Sequence, residues 1–276
     1  MTSARTLLET ATARLASAGV ATPRVDSELL LAHHLEVPRS RLALVDDVLP
    51  DVAEAFEADL VRRERREPLQ YIVGHAPFRY VELSVGPGVF VPRPESELLI
   101  DAVLPAIGPG ATAVDLCAGS GALAVSLAHE TPAGRVLAVE SDAAALVWLR
   151  RNAEGNRVEV VHADITSPAL LAELSGRADA VVCNPPYVPS GQHVQPEVQA
   201  DPPVAVFAGS DGLDAVPHVI ARAAQLLKRG GVFAMEHDDS HGQVVPQLLR
   251  DDGRWREIAD HADLTGRPRY VVAFRL

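Results

Sequence analysis

The chain has 276 residues, of which 47% are hydrophobic and 22% are charged, a composition that excludes an intrinsically disordered chain because enough apolar surface is available to form a core. The net charge of −12 argues against nonspecific nucleic-acid binding, which needs a cationic surface that displaces counterions. No apolar run approaches the roughly 18 residues of a membrane-spanning helix, and two cysteines cannot form a disulfide framework, so we expect a cytoplasmic protein without membrane contact.

Residues 1–68 are predicted to form a small helical domain. Leucine and alanine recur at helical spacing from Leu7 to Ala18, and further helices are expected over 26–35 and 52–61. The dense basic run Arg62–Arg66 is interpreted as a solvated helix face. No catalytic constellation is visible in this region, which therefore predicts a recognition domain rather than a reaction centre.

Residues 69–92 are predicted to be a β-hairpin linker. Short β-rich runs at 70–73, 80–83 and 89–91 are separated by glycine and proline residues, a pattern typical of strands joined by turns. A helix is expected next, with Pro94 near its start and Leu104 at its end, because proline is tolerated in the first turn.

Strands and helices then alternate through residues 93–276. Strands are expected at 113–116, 136–140, 158–161, 178–183, 232–236, 255–258 and 270–274. Helices are expected at 121–128, 142–152, 213–229 and 244–249. Continuous apolar strands separated by helices predict an α/β fold with a parallel sheet covered on both faces.

The segment Asp115–Gly121 is a glycine-rich turn between a strand and a helix. Glycines allow a tight turn and close approach of a ligand, and the following helix offers free amides to an anionic group. Glu140 ends the next strand, where an acidic side chain can accept the hydroxyls of a ribose. These features fit a nicotinamide dinucleotide and S-adenosylmethionine equally well.

The segment Asn184–Tyr187, Asn-Pro-Pro-Tyr, follows a strand and decides between these chemistries. Ligands of α/β sheets bind beyond the carboxyl ends of strands. The two prolines restrict the backbone, so the Pro185 carbonyl and the Asn184 side-chain oxygen can grip both hydrogens of a planar NH2 group. Tyr187 offers an aromatic face to that group. The pattern predicts methyl transfer from a sulfonium to an amide or ring NH2.

The chain resembles the HemK/PrmC family of release-factor glutamine methyltransferases. The motifs that carry the resemblance are 67–74, 87–97, 115–121 and 184–187, with weaker matches at 207–213 and 227–231. They run in family order over most of the chain. Asn-Pro-Pro-Tyr alone is shared with DNA adenine methyltransferases, but its combination with the other segments is specific.

The resemblance implies a seven-stranded Rossmann-like class I methyltransferase sheet at 93–276, behind a helical substrate-recognition domain and a hairpin linker. It implies methylation of the glutamine side-chain nitrogen N5 in the Gly-Gly-Gln motif of class 1 release factors, with S-adenosylmethionine as cofactor. The residues implied to bind the cofactor are Cys117, Ala118, Gly119, Ser120, Gly121, Glu140, Asp164, Ile165 and Asn184. Those implied to hold the glutamine are Asn184, Pro185, Pro186 and Tyr187, with Asn184, Pro185 and Tyr187 catalytic.

Several positions depart from the family pattern. Cys117-Ala118 stands where Gly-Thr is usual, Glu140 where Asp is usual, and Ile165 where an aromatic residue is common. His237–His241 replaces the usual Ile-Gly segment. Its two histidines have the spacing of metal ligands on a helix, but without a third ligand we interpret them as part of a solvated loop and predict no metal.

Three alternatives to a glutamine methyltransferase remain. A methyltransferase of adenine N6 would use the same grip on an NH2 group, but the acidic charge argues against it. A nicotinamide oxidoreductase would need a hydride-transfer site that Asn-Pro-Pro-Tyr does not supply. A release-factor-binding module without activity would be distinguished by cofactor titration.

Overall fold

A computed structural model of the chain describes residues 2–132 and 134–276. The chain divides into two units. The first consists of the residues up to His75 together with Val194–Ala200, and the second of Ala76–His193 with Asp201–Leu276. The first unit is thus built from two separate stretches of sequence.

The first unit is mainly helical. Its longer helices are α1 (Ala4–Ser17), α2 (Pro23–His34) and α3 (Pro50–Glu64). Shorter elements are the 3-10 helix Arg39–Leu44, the helices Leu69–Val73 and Pro196–Gln199, and the paired strands Thr2–Ser3 and Asp47–Val48. Pro23 and Pro50 lie in the first turns of their helices, where the missing amide costs nothing. Leucines of α1–α3 form the apolar core with Phe56.

The expectation that the basic run is a solvated helix face is wrong for Arg63 and Arg66, whereas Arg65 is exposed. Arg63 is buried and donates to Asp26 at 2.7 Å and to Glu197 at 2.7 Å. Arg66 donates to both oxygens of Glu197 at 2.6 Å, and Arg62 pairs with Glu67. These positive charges are therefore neutralised within the unit. The sequence pattern could not predict this, because Asp26 and Glu197 lie far from the basic run along the chain.

The hairpin is present, but its strands differ from the prediction. They are His75–Phe78 and Val81–Ser84. Residues 69–73 form a short helix that ends at Gly74, and residues 89–91 form no strand. A short apolar run has no periodicity that separates strand from helix. Val89 and Val91 are nevertheless fully buried, and Val91 N donates to the Asp201 side chain at 3.1 Å rather than to a strand.

The second unit contains a seven-stranded sheet in the described residues. Its strands are β1 (Thr112–Leu116), β2 (Arg135–Glu140), β3 (Val158–His162), β4 (Ala178–Cys183), β5 (Leu227–Glu236), β6 (Trp255–Ala262) and β7 (Pro268–Arg275). The order across the sheet is β3-β2-β1-β4-β5-β7-β6. Strands β1 to β5 pair in parallel, whereas β7 is antiparallel to both of its neighbours. The predicted α/β class is confirmed, with β6 and β7 antiparallel because their connection is too short for a crossover.

Helices cover both faces of this sheet. They are α4 (Glu97–Val103), α5 (Ala122–Glu130), α6 (Ala143–Ala153), α7 (Val216–Leu226) and α8 (Val244–Asp252). Short helices lie at Pro94–Ser96, Leu104–Ala106, Ala172–Leu174, Pro203–Val206 and Asp239–His241. One apolar cluster joins α4, α5, α6 and the hairpin, and the other joins α7 and α8. Helix α7 ends three residues earlier than predicted, because Leu227 already pairs with Ala178 of β4.

Candidate active site

The carboxyl ends of three neighbouring strands bring the predicted site residues together. Strand β1 lies between β2 and β4, and its last residue, Leu116, is in register with Val139 on one side and Cys183 on the other. Cys117 of the glycine turn, Glu140 and Asn184 each follow one of these three residues directly. They therefore lie at the same edge of the sheet. This is the edge at which α/β sheets bind ligands.

The glycine turn has three residues in the left-handed region of the backbone. They are Cys117 (φ 61°), Gly119 (φ 55°) and Gly121 (φ 86°). A Cβ on Gly121 would lie 2.6 Å from Leu149 Cδ1 in the core, whereas a Cβ on Gly119 would meet no atom within 4 Å. Gly121 is thus required by packing. Gly119 faces open space beside the start of α5.

Glu140 fastens this turn to the next connection. Its Oε2 accepts a hydrogen bond from Gly119 N at 2.8 Å, and its Oε1 accepts from Ser141 N at 2.8 Å and Asp142 N at 2.7 Å. The side chain is buried. A carboxylate offers about four acceptor positions, so Oε2 keeps capacity for one further donor. The role of Glu140 toward a ribose remains a prediction.

Asp115 is a further candidate site residue, which the sequence pattern alone did not indicate. It is fully buried at the end of β1, where Oδ2 accepts from Ala124 N at 3.1 Å and Oδ1 has no hydrogen-bond partner in the described residues. Burial raises the pKa of this carboxyl well above its ordinary value, with the Ala124 amide opposing the shift. An unpaired buried acceptor at the ligand-binding edge of a sheet is a candidate ligand contact.

Asn184 is connected to three side chains, two of which, Ser96 and Glu236, come from distant parts of the sequence. Its Nδ2 donates to Ser96 Oγ at 2.8 Å, and Ser96 Oγ donates to Glu236 Oε2 at 2.5 Å. Tyr187 Oη donates to the other oxygen of Glu236 at 2.7 Å. Asn184 Oδ1 accepts no hydrogen bond from the described part of the chain, which leaves it available to a ligand. Ser96 and Glu236 were missed because nothing in their local sequence indicates this contact.

Burial dominates the electrostatics of this group. Glu236 is 1% exposed, and burial raises the pKa of its carboxyl while the hydrogen bonds from Ser96 and Tyr187 and the charge of Arg269 oppose that shift. Burial and the neighbouring Glu236 raise the pKa of Tyr187. Tyr187 therefore stays a neutral hydrogen-bond donor at neutral pH.

Asp164 and Ile165, implied to lie near an adenine, follow β3. Asp164 Oδ1 accepts from the amide and the hydroxyl of Thr166, both at 2.7 Å, and these hydrogen bonds lower its pKa. Ile165 is half-buried and packs against the α7 side of the sheet, and its carbonyl accepts from Arg222 Nε at 3.0 Å. Their contact with a cofactor remains a prediction.

The expectation of a solvated loop at His237–His241 is wrong for the two histidines, whose imidazoles are buried, whereas Asp239 and Ser240 between them are exposed. His237 Nε2 lies 2.8 Å from Asp260 Oδ1, and His241 Nε2 lies 2.9 Å from the Asp211 carbonyl. Each histidine thus has its own polar partner. Among the described residues, no group of three or more His, Cys, Asp or Glu residues could hold a metal ion.

Two family models match the chain. The model described as the PrmC N-terminal domain matches residues 6–74, and the one described as the methyltransferase small domain matches residues 80–252. In the described residues, no helix is long and apolar enough to cross a membrane.

Relatives of known name are similar over nearly their whole length. A release factor glutamine methyltransferase of Mycolicibacterium smegmatis is 50% identical, covering 100% of this chain and 99% of the relative. Another of that name from Streptomyces coelicolor is 46% identical, covering 95% of each. A solved structure of a T. thermophilus 16S rRNA N2 methyltransferase with AdoMet and guanosine has a TM-score of 0.51 and 24% identity, covering 73% of this chain and 50% of the other. The solved structure supports the fold alone.

Proposed function

We propose that this chain transfers a methyl group to the side-chain nitrogen N5 of a glutamine. The chain belongs to the family of release factor glutamine methyltransferases, and that membership supports the proposal. The protein substrate is a class 1 peptide chain release factor, and the glutamine is that of its Gly-Gly-Gln motif. S-adenosylmethionine is the methyl donor.

The observation that carries the proposal is the free side-chain oxygen of Asn184. Its amide nitrogen is already used by Ser96 at 2.8 Å, so the oxygen is the group left for a substrate. An amide NH2 has two hydrogens to donate. Asn184 Oδ1 would accept one of them and the carbonyl of buried Pro185 the other, with the Tyr187 ring against the amide plane.

The residues at the neighbouring strand ends fit S-adenosylmethionine. When bound, this cofactor supplies an electrophilic methyl group on a sulfonium. The open space at Gly119 and the amides that begin α5 suit its carboxylate. Glu140 Oε2 would accept from its ribose, and the unpaired Asp115 Oδ1 would accept from its ammonium group. The rest of the proposed cofactor site is Cys117, Ala118, Ser120, Gly121, Asp164, Ile165 and Asn184.

The two acceptors that bind the hydrogens of the substrate amide also explain how its nitrogen can react. The lone pair of an amide nitrogen is delocalised, and gripping both hydrogens orients the nitrogen and favours the lone pair turning toward the methyl group. Alignment and placement of charge then supply most of the rate enhancement. No general base is needed before attack, because the nitrogen becomes acidic once it carries the methyl group.

Selection of one glutamine requires contacts away from the reacting group, because specificity is a difference in binding free energy. We assign these contacts to the helical domain at 1–68, followed by a linker at 69–92 and the methyltransferase domain at 93–276. The match of residues 6–74 to the PrmC N-terminal domain supports a separate N-terminal domain. We also propose a cytoplasmic location, since release factors act there with the ribosome.

Mass spectrometry tests the function directly. Purified release factor and duplex DNA are incubated separately with the enzyme and S-adenosylmethionine. We expect an added CH2, about 14 Da, on the Gly-Gly-Gln peptide only. Methylation of adenine in DNA with unmodified release factor would support the adenine N6 alternative, and cofactor binding without transfer to either would indicate an inactive binding module.

A further inference from the structure

The side-chain amide of Asn184 could rotate by 180° with little change in shape. In one orientation it presents an oxygen to the substrate, and in the other it presents an NH2 group. Only the first orientation can accept from the substrate NH2, whereas the second would set two donors against each other. The site therefore needs a device that selects the orientation.

The hydrogen-bond chain behind Asn184 has a defined direction. Both oxygens of Glu236 receive hydroxyl protons, from Ser96 at 2.5 Å and from Tyr187 at 2.7 Å. Because the hydroxyl of Ser96 donates its only hydrogen to Glu236, the Ser96 oxygen can act only as an acceptor toward Asn184. Asn184 Nδ2, at 2.8 Å, must therefore point to Ser96, and Oδ1 points away from it.

We infer that Ser96 and Glu236 are positioning residues that hold the Asn184 oxygen toward the substrate amide. The inference rests on the proposed function and adds to it two residues that do not touch the substrate. Ser96 is 4% exposed and Glu236 is 1% exposed, so bulk water does not replace either partner. Tyr187 shares Glu236, so the same carboxylate also orients the aromatic ring.

A purely structural role is the competing explanation. The Ser96–Glu236 hydrogen bond also joins the 3-10 helix Pro94–Ser96 to the end of β5, and its loss could disturb the fold. The two explanations differ in one respect. The effect of Ser96 on activity depends on Asn184 if Ser96 positions that side chain. It does not depend on Asn184 if Ser96 only joins the 3-10 helix to β5.

A double-mutant cycle separates them. Ser96→Ala is made in the wild-type and in the Asn184→Ala background, and kcat is measured on release factor. We expect about a tenfold fall in the wild-type background, the effect of one hydrogen bond, and less than a twofold fall in the Asn184→Ala background, because coupled residues are not additive. Ser96→Thr, which retains the hydroxyl, should stay within twofold of wild type.

The controls use matched changes. Ser126→Ala removes a buried hydroxyl of α5 that has no hydrogen-bond partner in the described residues and should leave kcat unchanged. If Ser96→Ala does not fold, Ser96→Cys keeps the volume with a weaker donor and should lose kcat similarly. Equal losses of kcat in both backgrounds, or full activity of Ser96→Ala or Ser96→Cys, would overturn this inference and leave the proposed function intact. Absence of turnover by the wild type would contradict the proposed function as well.

Discussion

At the scale of single residues, Asn184 provides the clearest test of the chemistry. Asn184→Ala removes one of two proposed acceptors for the substrate NH2, and losing one well-aligned transition-state partner costs about 10²–10³ in rate. We expect that fall in kcat on release factor and a much smaller change in the S-adenosylmethionine dissociation constant. Single-turnover kinetics and calorimetry measure the two quantities.

Asn156→Ala is the matched control for that variant. Asn156 is also half-buried in the second unit, and its Nδ2 donates to the Asn152 carbonyl at 2.8 Å. It lies outside the proposed site, so the control variant should keep its kcat. More than half of wild-type turnover in Asn184→Ala would contradict the proposed grip.

Sequence reasoning found Asn184 but not the residues behind it. Asn-Pro-Pro-Tyr is a contiguous motif at the end of an apolar strand, so its residue types and its position are both visible in the sequence. Ser96 and Glu236 are separated from each other by 140 positions, and neither has a local pattern that predicts a polar contact. Only the tertiary fold brings them to Asn184.

At the scale of elements, the glycine turn after β1 separates packing from binding. Gly121→Ala places a Cβ 2.6 Å from Leu149 Cδ1 at a positive φ, and we expect it to lower the free energy of unfolding by about 2–3 kcal/mol. Gly119→Ala meets no neighbouring atom and should cost only about 1 kcal/mol, the strain of its backbone. Gly119→Ala should nevertheless bind S-adenosylmethionine at least tenfold more weakly, because the new methyl group would occupy the open space that we assign to the cofactor carboxylate.

Thermal unfolding and calorimetry on both variants measure these effects, and each variant controls for the other. Wild-type cofactor affinity in Gly119→Ala would remove this turn from the proposed cofactor site. A fully stable Gly121→Ala variant would contradict the packing argument, since Leu149 is fully buried.

The elements themselves were predicted unevenly. Strands β1 to β4 match their expected positions within one residue, because a buried parallel strand is a continuous apolar run. Strand β5 begins five residues earlier than expected, at Leu227, since the residues that follow Leu227 are polar or glycine and do not extend the apolar run. The run at 70–73 was assigned as a strand and is a helix, and the run at 89–91 is buried without strand pairing. In both, the apolar pattern correctly indicated burial but could not indicate backbone conformation.

At the scale of the whole molecule, the first unit is completed by a segment from far along the chain. Residues Val194–Ala200 belong to this unit, and Glu197 in that segment pairs with Arg63 and Arg66. The sequence predicts a domain boundary at residue 68 and gives no sign of this later segment. Neither composition nor periodicity marks seven residues that belong to a different unit. Ion pairs from Glu197 to Arg63 and Arg66 link the segment to the rest of the unit.

Glu197 should therefore make the stability of the first unit depend on pH. Burial alone would raise the pKa of Glu197, but hydrogen bonds from Arg66 and Arg63 outweigh it and lower the pKa to about 2. Because the folded-state value lies below the unfolded one of 4.5, the stabilisation is fully present above the unfolded pKa and is lost as the pH falls through the folded one. Linkage gives up to about 3 kcal/mol at pH 7 and about 1.4 kcal/mol near pH 3.

Glu197→Gln measures this contribution, because it removes the charge and keeps the shape of the side chain. Hydrogen exchange of amides in α3 reports opening of the first unit, and comparing variant with wild type at each pH cancels the intrinsic exchange rate. We expect protection in the variant to be more than 100-fold lower at pH 7, with the difference shrinking to about tenfold at pH 3. Glu159→Gln is the control, since its ion pair with Arg135 in the second unit is exposed on both sides and exposed pairs contribute under about 1 kcal/mol. A difference at Glu197 that stays constant from pH 7 to pH 3 would show that packing of the segment, and not the charge of this carboxylate, holds it in the first unit.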